Sequence, residues 1–147
     1  MNTDTDLNVL VVDDDEAMTE TLSDILGGQG YSVAIAHSGE QAISQVSAKA
    51  FDCILLDIKM SGMNGVEAFK AIKQVVPKAV VVMMTAYTFH ELIEEAKREG
   101  VLKVLTKPID IRWLMTFLQD LKTKITNRRD GDHGDTFKPG KTGDLDR

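Results

Sequence analysis

The sequence predicts an α/β fold, a doubly wound parallel sheet of five strands in the order 2-1-3-4-5, each strand followed by a helix, (βα)₅. Three observations carry this. Five short apolar runs, at 9–12, 31–36, 51–56, 80–84 and 101–105, have strand length and are rich in Val, Ile and Leu. Segments with helical spacing separate them, so successive strands run parallel with helices covering both faces of the sheet. The first, third and fourth runs are almost wholly apolar, as strands buried on both faces are, whereas the second carries Ser32 and the fifth Lys103, as edge strands do.

The elements follow in order. The first strand runs into Asp13-Asp14-Asp15, and the helix after it places Met18, Leu22, Ile25 and Leu26 on one face before Gly27-Gly28 stops it. Asp15 suits the cap of that helix. The second helix opens with Ser38-Gly39-Glu40-Gln41, a capping-box pattern. The third strand holds Cys53 as a small core residue and ends at Asp57. Its helix opens with Asn64-Gly65-Val66-Glu67, a box with Asn as the cap, and presents Val66, Phe69, Ile72 and Val76 on one face. The fourth strand includes Met83 and Met84 and runs into Thr85-Ala86, and Thr88-Phe89-His90-Glu91 marks the next helix start. The fifth strand runs into Thr106-Lys107-Pro108. Asp110 then caps a helix with Leu114, Phe117, Leu118, Leu121 and Ile125 on one face. Lys122, Lys124, Arg128 and Arg129 favour the carboxyl end of that helix. The folded domain is expected over 1–126. Residues 127–147, with Phe137 and Leu145 as their only large apolar side chains, read as a disordered tail or a linker remnant.

Composition narrows the function. The chain is 43% hydrophobic and 27% charged, as a soluble domain with a core is. A net charge of −6 argues against direct nucleic-acid binding, which needs clustered Lys and Arg. No apolar run is long enough for a membrane span, the first residues lack signal-peptide features, and one cysteine allows no internal disulfide, so a cytoplasmic location is expected. His37, His90 and His133 are scattered and are assigned no role.

In such a sheet the winding reverses between strands one and three, and ligand sites form outside the carboxyl ends of the strands at that point. Asp13, Asp14, Asp57, Thr85 and Lys107 all lie at strand ends and therefore converge. Carboxylates so close repel one another unless a cation neutralises them, and Mg²⁺ prefers a few carboxylate oxygens, water and a phosphate oxygen. One carboxylate can then attack phosphorus and form an aspartyl phosphate, with the Thr85 hydroxyl, the Ala86 N–H and the Lys107 ammonium holding the transferred oxygens.

The segments Val9-Leu10-Val11-Val12-Asp13-Asp14-Asp15, Ile54-Leu55-Leu56-Asp57-Ile58-Lys59-Met60, Met84-Thr85-Ala86-Tyr87 and Leu105-Thr106-Lys107-Pro108 together resemble the receiver domains of two-component response regulators, over roughly residues 8–123. The resemblance implies a flavodoxin-like fold and a signalling switch, not a turnover enzyme, that promotes only its own phosphorylation and dephosphorylation. It implies Asp57 as phosphoacceptor. It implies Mg²⁺ (or Mn²⁺) held by Asp14, Asp57 and the backbone carbonyl of Lys59, with Asp13 acting through a metal-bound water. Thr85, Ala86 and Lys107 would bind the phosphoryl group, and the Lys107-Pro108 peptide would be cis. The implied donor is a phosphohistidine of a sensor histidine kinase or phosphotransfer protein. The implied output surface is the helix four–strand five–helix five face, about 89–123, meeting an output protein or a second copy in a phosphorylation-dependent dimer.

The chain departs from the family pattern in places. Val104 stands where an aromatic usually couples to the threonine. Ser61 replaces a usual Pro, which is expected to loosen the loop without touching the chemistry. Lys59 and Tyr87 occupy positions that tune phosphoryl lifetime. The competing reading is an aspartyl-phosphate phosphatase of haloacid dehalogenase type. That family needs a second Asp two residues after the nucleophile, and here that residue is Lys59.

Overall fold

The computed structural model describes residues 6–86 and 90–131. Its element order is β1 (Asn8–Val12), α1 (Glu16–Gly28), β2 (Ser32–Ala36), α2 (Gly39–Ala48), β3 (Cys53–Asp57), α3 (Gly65–Val75), β4 (Val81–Thr85), α4 (His90–Arg98), β5 (Lys103–Thr106) and α5 (Ile111–Gly131). The strands form one parallel sheet ordered β2-β1-β3-β4-β5, as the residue types predict. β3 and β4 are buried along their whole length, whereas both outer strands carry exposed residues. β3 to β5 each reach one residue further toward the carboxyl edge than the apolar runs do, because the ladder extends through the polar residues Asp57, Thr85 and Thr106.

Within residues 7–108, alternate strand residues divide between the two faces. Leu10, Val12, Ile54, Leu56, Val81 and Met83 join one core cluster with Ala42 and Val46 of α2, Phe69 and Ile72 of α3, and Ala96 of α4. Val9, Val11, Cys53, Leu55, Val82 and Met84 alternate with them and are equally buried. Burial pushes the Cys53 thiol pKa up to about 12, with the Asp52 charge adding to the effect.

The helix starts follow their predicted caps, with one variation. Asp15 accepts from the Met18 N–H at 3.2 Å. Asn64 and Glu67 form the full reciprocal box. Ser38 accepts from the Gln41 N–H, but the Gln41 side chain accepts from the His37 N–H instead of closing on Ser38. The box expected at Thr88 lies outside the described residues. The segment 109–131 starts as predicted, with Asp110 Oδ1 accepting from the Trp113 N–H at 3.0 Å. Within it, Trp113 and Phe117 stack with ring centroids 5.1 Å apart. Its helix runs to Gly131, five residues beyond the expected boundary at Thr126. Loss of apolar spacing removes a reason for burial but not the backbone ladder, and no Gly or Pro intervenes before Gly131. No helix among the described residues is long and apolar enough to cross a membrane.

Candidate functional site

The carboxyl edge of the sheet gathers the charged residues that the strand bodies lack. β1 ends at Val12, and the Asp13 N–H continues its ladder by donating to the Ala36 carbonyl at 3.1 Å, which carries Asp13 into the interior. Asp13 is fully buried, and both its oxygens are engaged. Oδ1 accepts from the Asp15 N–H at 3.0 Å and Oδ2 from Lys107 Nζ at 2.6 Å. Asp14 is exposed, and its Oδ2 accepts from the Ser61 N–H at 3.0 Å. Asp57 is the last residue of β3 and only 4% exposed, with Oδ1 3.5 Å from Lys107 Nζ. Asp13, Asp14 and Asp57 can each offer a carboxylate oxygen within 4.8 Å of the other two.

Electrostatics makes this an uneasy arrangement. Burial first, and then the Asp13 charge, raise the Asp57 pKa, Lys107 opposes both, and the balance leaves it at about 7. Burial lowers the Lys107 pKa, but its hydrogen bond to Asp13 and the Asp57 and Asp13 charges outweigh that, and the ammonium is held above its ordinary value. Lys107 pairs with Asp13 and Asp57, and Asp14 adds a third carboxyl group beside them, so acidic groups outnumber this one cation. A hard divalent cation fits this donor set, because it takes oxygen ligands and would offset the burial and the Asp13 charge that oppose ionisation of Asp57.

Backbone hydrogen bonds fix the carboxyl ends of β3 and β4. The Ile58 N–H donates to the Met84 carbonyl at 2.8 Å, the Gly65 N–H to the Ile58 carbonyl at 2.7 Å, and the Lys107 N–H to the Thr85 carbonyl at 2.8 Å. Thr85 is buried at the end of β4, opposite Thr106 in register, and Ala86 follows it at the surface. The Lys107-Pro108 peptide is cis, as the resemblance implies. Lys59 is exposed, between the buried Ile58 and Met60. Val104 is half-buried and packs against the core cluster. Tyr87 lies outside the described residues.

Two contributors were not singled out from the sequence. A Cβ at Gly65 would lie 2.2 Å from the Asp57 carbonyl oxygen and 2.7 Å from Ile58 Cα, so only glycine lets α3 start this close to β3. The second is the Ser61 N–H. It donates to Asp14 Oδ2, a contact that the expectation of a looser loop at this position did not include. A tight backbone approach has a sequence signal, the glycine itself. A main-chain donor has none, because nearly every residue type supplies one.

Comparison with known proteins agrees with this geometry. The family profile described as response regulator receiver domain matches residues 9–119. The transcriptional regulatory protein ZraR of Escherichia coli (strain K12) is 42% identical over 113 residues, 77% of this chain and 26% of that protein. The chain thus spans about a quarter of that relative's length. Sporulation initiation phosphotransferase F of Bacillus subtilis (strain 168) is 36% identical over 103 residues, 70% of this chain and 83% of that protein. Among solved structures, a CheY-like response regulator receiver domain protein from Methanospirillum hungatei JF-1 superposes with a TM-score of 0.77 at 25% identity, covering 86% of this chain and 99% of that one. A response regulator protein from Burkholderia pseudomallei, solved with a phosphorylated aspartic acid, calcium ion and citrate, gives 0.72 at 26% identity, covering 84% and 73%. With its sheet order, its strand-end acids and lysine, and these relatives, the chain belongs to the response regulator receiver domain family of two-component signalling.

Proposed function

We propose that the chain accepts a phosphoryl group on Asp57 from the phosphohistidine of a sensor histidine kinase or phosphotransfer protein, in a reaction that requires Mg²⁺ or Mn²⁺. The observation that carries the reading is the convergence of the Asp13, Asp14 and Asp57 oxygens beside Lys107. Likeness to a phosphotransferase and to a structure holding a phosphorylated aspartic acid supports it.

The chemistry follows from the residues. A carboxylate oxygen of Asp57 bonds to phosphorus as the P–N bond to the donor imidazole breaks, and the electron pair stays on the imidazole nitrogen. The attacking form is the carboxylate, so the raised pKa of Asp57 has to be brought down before attack. A divalent cation on Asp14, Asp57 and the Lys59 carbonyl would supply that effect and would neutralise phosphoryl oxygens. Lys107 has its ammonium between Asp13 and Asp57 and is placed to pair with a transferred oxygen. The Thr85 hydroxyl and the Ala86 N–H are the neutral donors for the remaining oxygens. Lys59 and Tyr87 would tune how long the phosphoryl group survives. Val104 cannot make an aromatic swing, so the state is passed on by other groups. The output surface we assign to α4, β5 and α5, which would meet an output protein or a second copy of the chain.

Intact-protein mass after incubation with acetyl phosphate and Mg²⁺ tests the reading. A gain of one phosphoryl group in wild type, absent in Asp57→Asn and absent with EDTA, supports it. No gain with either acetyl phosphate or a phosphorylated histidine phosphotransfer protein rejects it. With Lys59 two residues after Asp57, no steady hydrolysis of a phosphomonoester is expected.

A further inference from the structure

We infer that the backbone N–H of Ser61 is a positioning group for Asp14, and through Asp14 for the divalent cation; this rests on the cation reading just given. The three carboxylates are not equally constrained. Asp13 has both oxygens engaged by Asp15 and Lys107, and Asp57 is enclosed at the end of β3. Asp14 is the exposed member of the group. An exposed aspartate side chain samples several rotamers, and a cation that recruits it has to restrict that freedom. The Ser61 N–H restricts it beforehand. It donates to Oδ2 at 3.0 Å across 47 residues of sequence, a charge-assisted bond that leaves Oδ1 and a further lone pair available.

A loop donor can position a partner only if the loop is itself fixed, and this one is held on both sides of Ser61. Met60 is buried in the core cluster. Met63 packs against the start of α2, where a Cβ at Gly39 would lie 2.7 Å from Met63 Sδ. Gly62 makes the turn between them at φ +75°, and Asn64 is the cap of α3. The strap that presents the Ser61 N–H therefore spans a core anchor, a helix contact and a helix cap. It also carries the Lys59 carbonyl, so two separate contributions to the cation site depend on one segment. By linkage, cation binding and the conformation of residues 59–63 bias each other.

Proline at position 61 removes this donor, and alanine removes only the hydroxyl. Titration calorimetry of MgCl₂ into the full chain should give Ser61→Ala the wild-type affinity and Ser61→Pro an affinity weaker by on the order of tenfold, the usual effect of losing a group that orients a metal ligand. Equal Mg²⁺ affinity in wild type and in a folded Ser61→Pro overturns the inference and leaves the cation reading intact. Wild type that binds no Mg²⁺ overturns both. Should Ser61→Pro fail to fold, amide proton spectra decide. The Ser61 N–H signal of metal-free wild type is expected downfield and slow to exchange, and both features should vanish in Asp14→Ala. A Ser61 signal indifferent to that substitution overturns the inference by itself.

Discussion

Along β3, Cys53, Ile54, Leu55 and Leu56 are at most 2% exposed and carry only weakly polar or hydrocarbon side chains. One residue further, Asp57 is 4% exposed and ionisable. The ladder with β4 is continuous across that step, yet the energetic sign reverses. Burial stabilises the first four residues, by about 25 cal/mol for each Å² removed from water, and penalises the charged form of the fifth. Burial is therefore no measure of stabilisation by itself. The strand interior and the strand end occupy equally enclosed space, and only the interior gains from it. The unfavourable end is where the proposed chemistry lies.

Three measurements by urea denaturation sharpen or break this contrast. The largest effect is expected in the interior. Phe69, 1% exposed in the core cluster, should cost about 3–5 kcal/mol when truncated to Ala. That loss should be the same at acid and at neutral pH, with or without Mg²⁺. A loss that varied with Mg²⁺ would mean that core and edge are not separable.

Next is Lys107, whose ammonium offsets Asp13 and Asp57. Lys107→Met should cost about 3 kcal/mol at about pH 8, since it strands buried carboxylates. The loss should shrink toward about pH 5, where Asp57 takes up a proton. A pH-independent loss would reduce Lys107 to a packing role.

The smallest effect has the opposite sign. The folded-state pKa of Asp57, about 7, lies above its ordinary 3.8. The folded chain thus binds this proton more tightly than the unfolded chain, and wild-type stability falls as pH rises from about 4 through about 7. Asp57→Asn, which cannot ionise, should therefore be more stable than wild type in EDTA at about pH 8, by about 2 kcal/mol. The advantage should disappear toward about pH 4, and added Mg²⁺ should narrow it at about pH 8. Wild type more stable than Asp57→Asn at the higher pH in EDTA would overturn the idea that the edge is strained by its own charge.

The fold was legible because each strand is a short apolar run and most helices begin with a side-chain cap, both written in residue types. Strand order was legible because Ser32 and Lys103 disqualify their strands from the centre. The convergence of Asp13, Asp14, Asp57 and Lys107 was legible because these side chains stand at strand ends. What was not legible involves the backbone or a choice among equivalent partners. The Ser61 N–H and the Gln41 amide bonded to His37 are geometric outcomes that no residue pattern specifies. The five extra residues of α5 show that apolar spacing marks where a helix is buried, not where it stops. The pairing of Lys107 mainly with Asp13, 0.9 Å closer than with Asp57, depends on which oxygen the folded backbone brings nearest.

Cys53 is the fully buried first residue of the central strand, with its thiol held near pKa 12 and no other cysteine in the chain. A thiol so placed is a built-in clock. Alkylating reagents meet a thiolate only after this buried end of β3 has parted from Val9 of β1, so the labelling rate in native buffer reads out opening of the β1–β3 pair and not surface fluctuation. The same silence makes the wild-type chain a blank background, on which any single introduced surface cysteine can carry a spectroscopic probe.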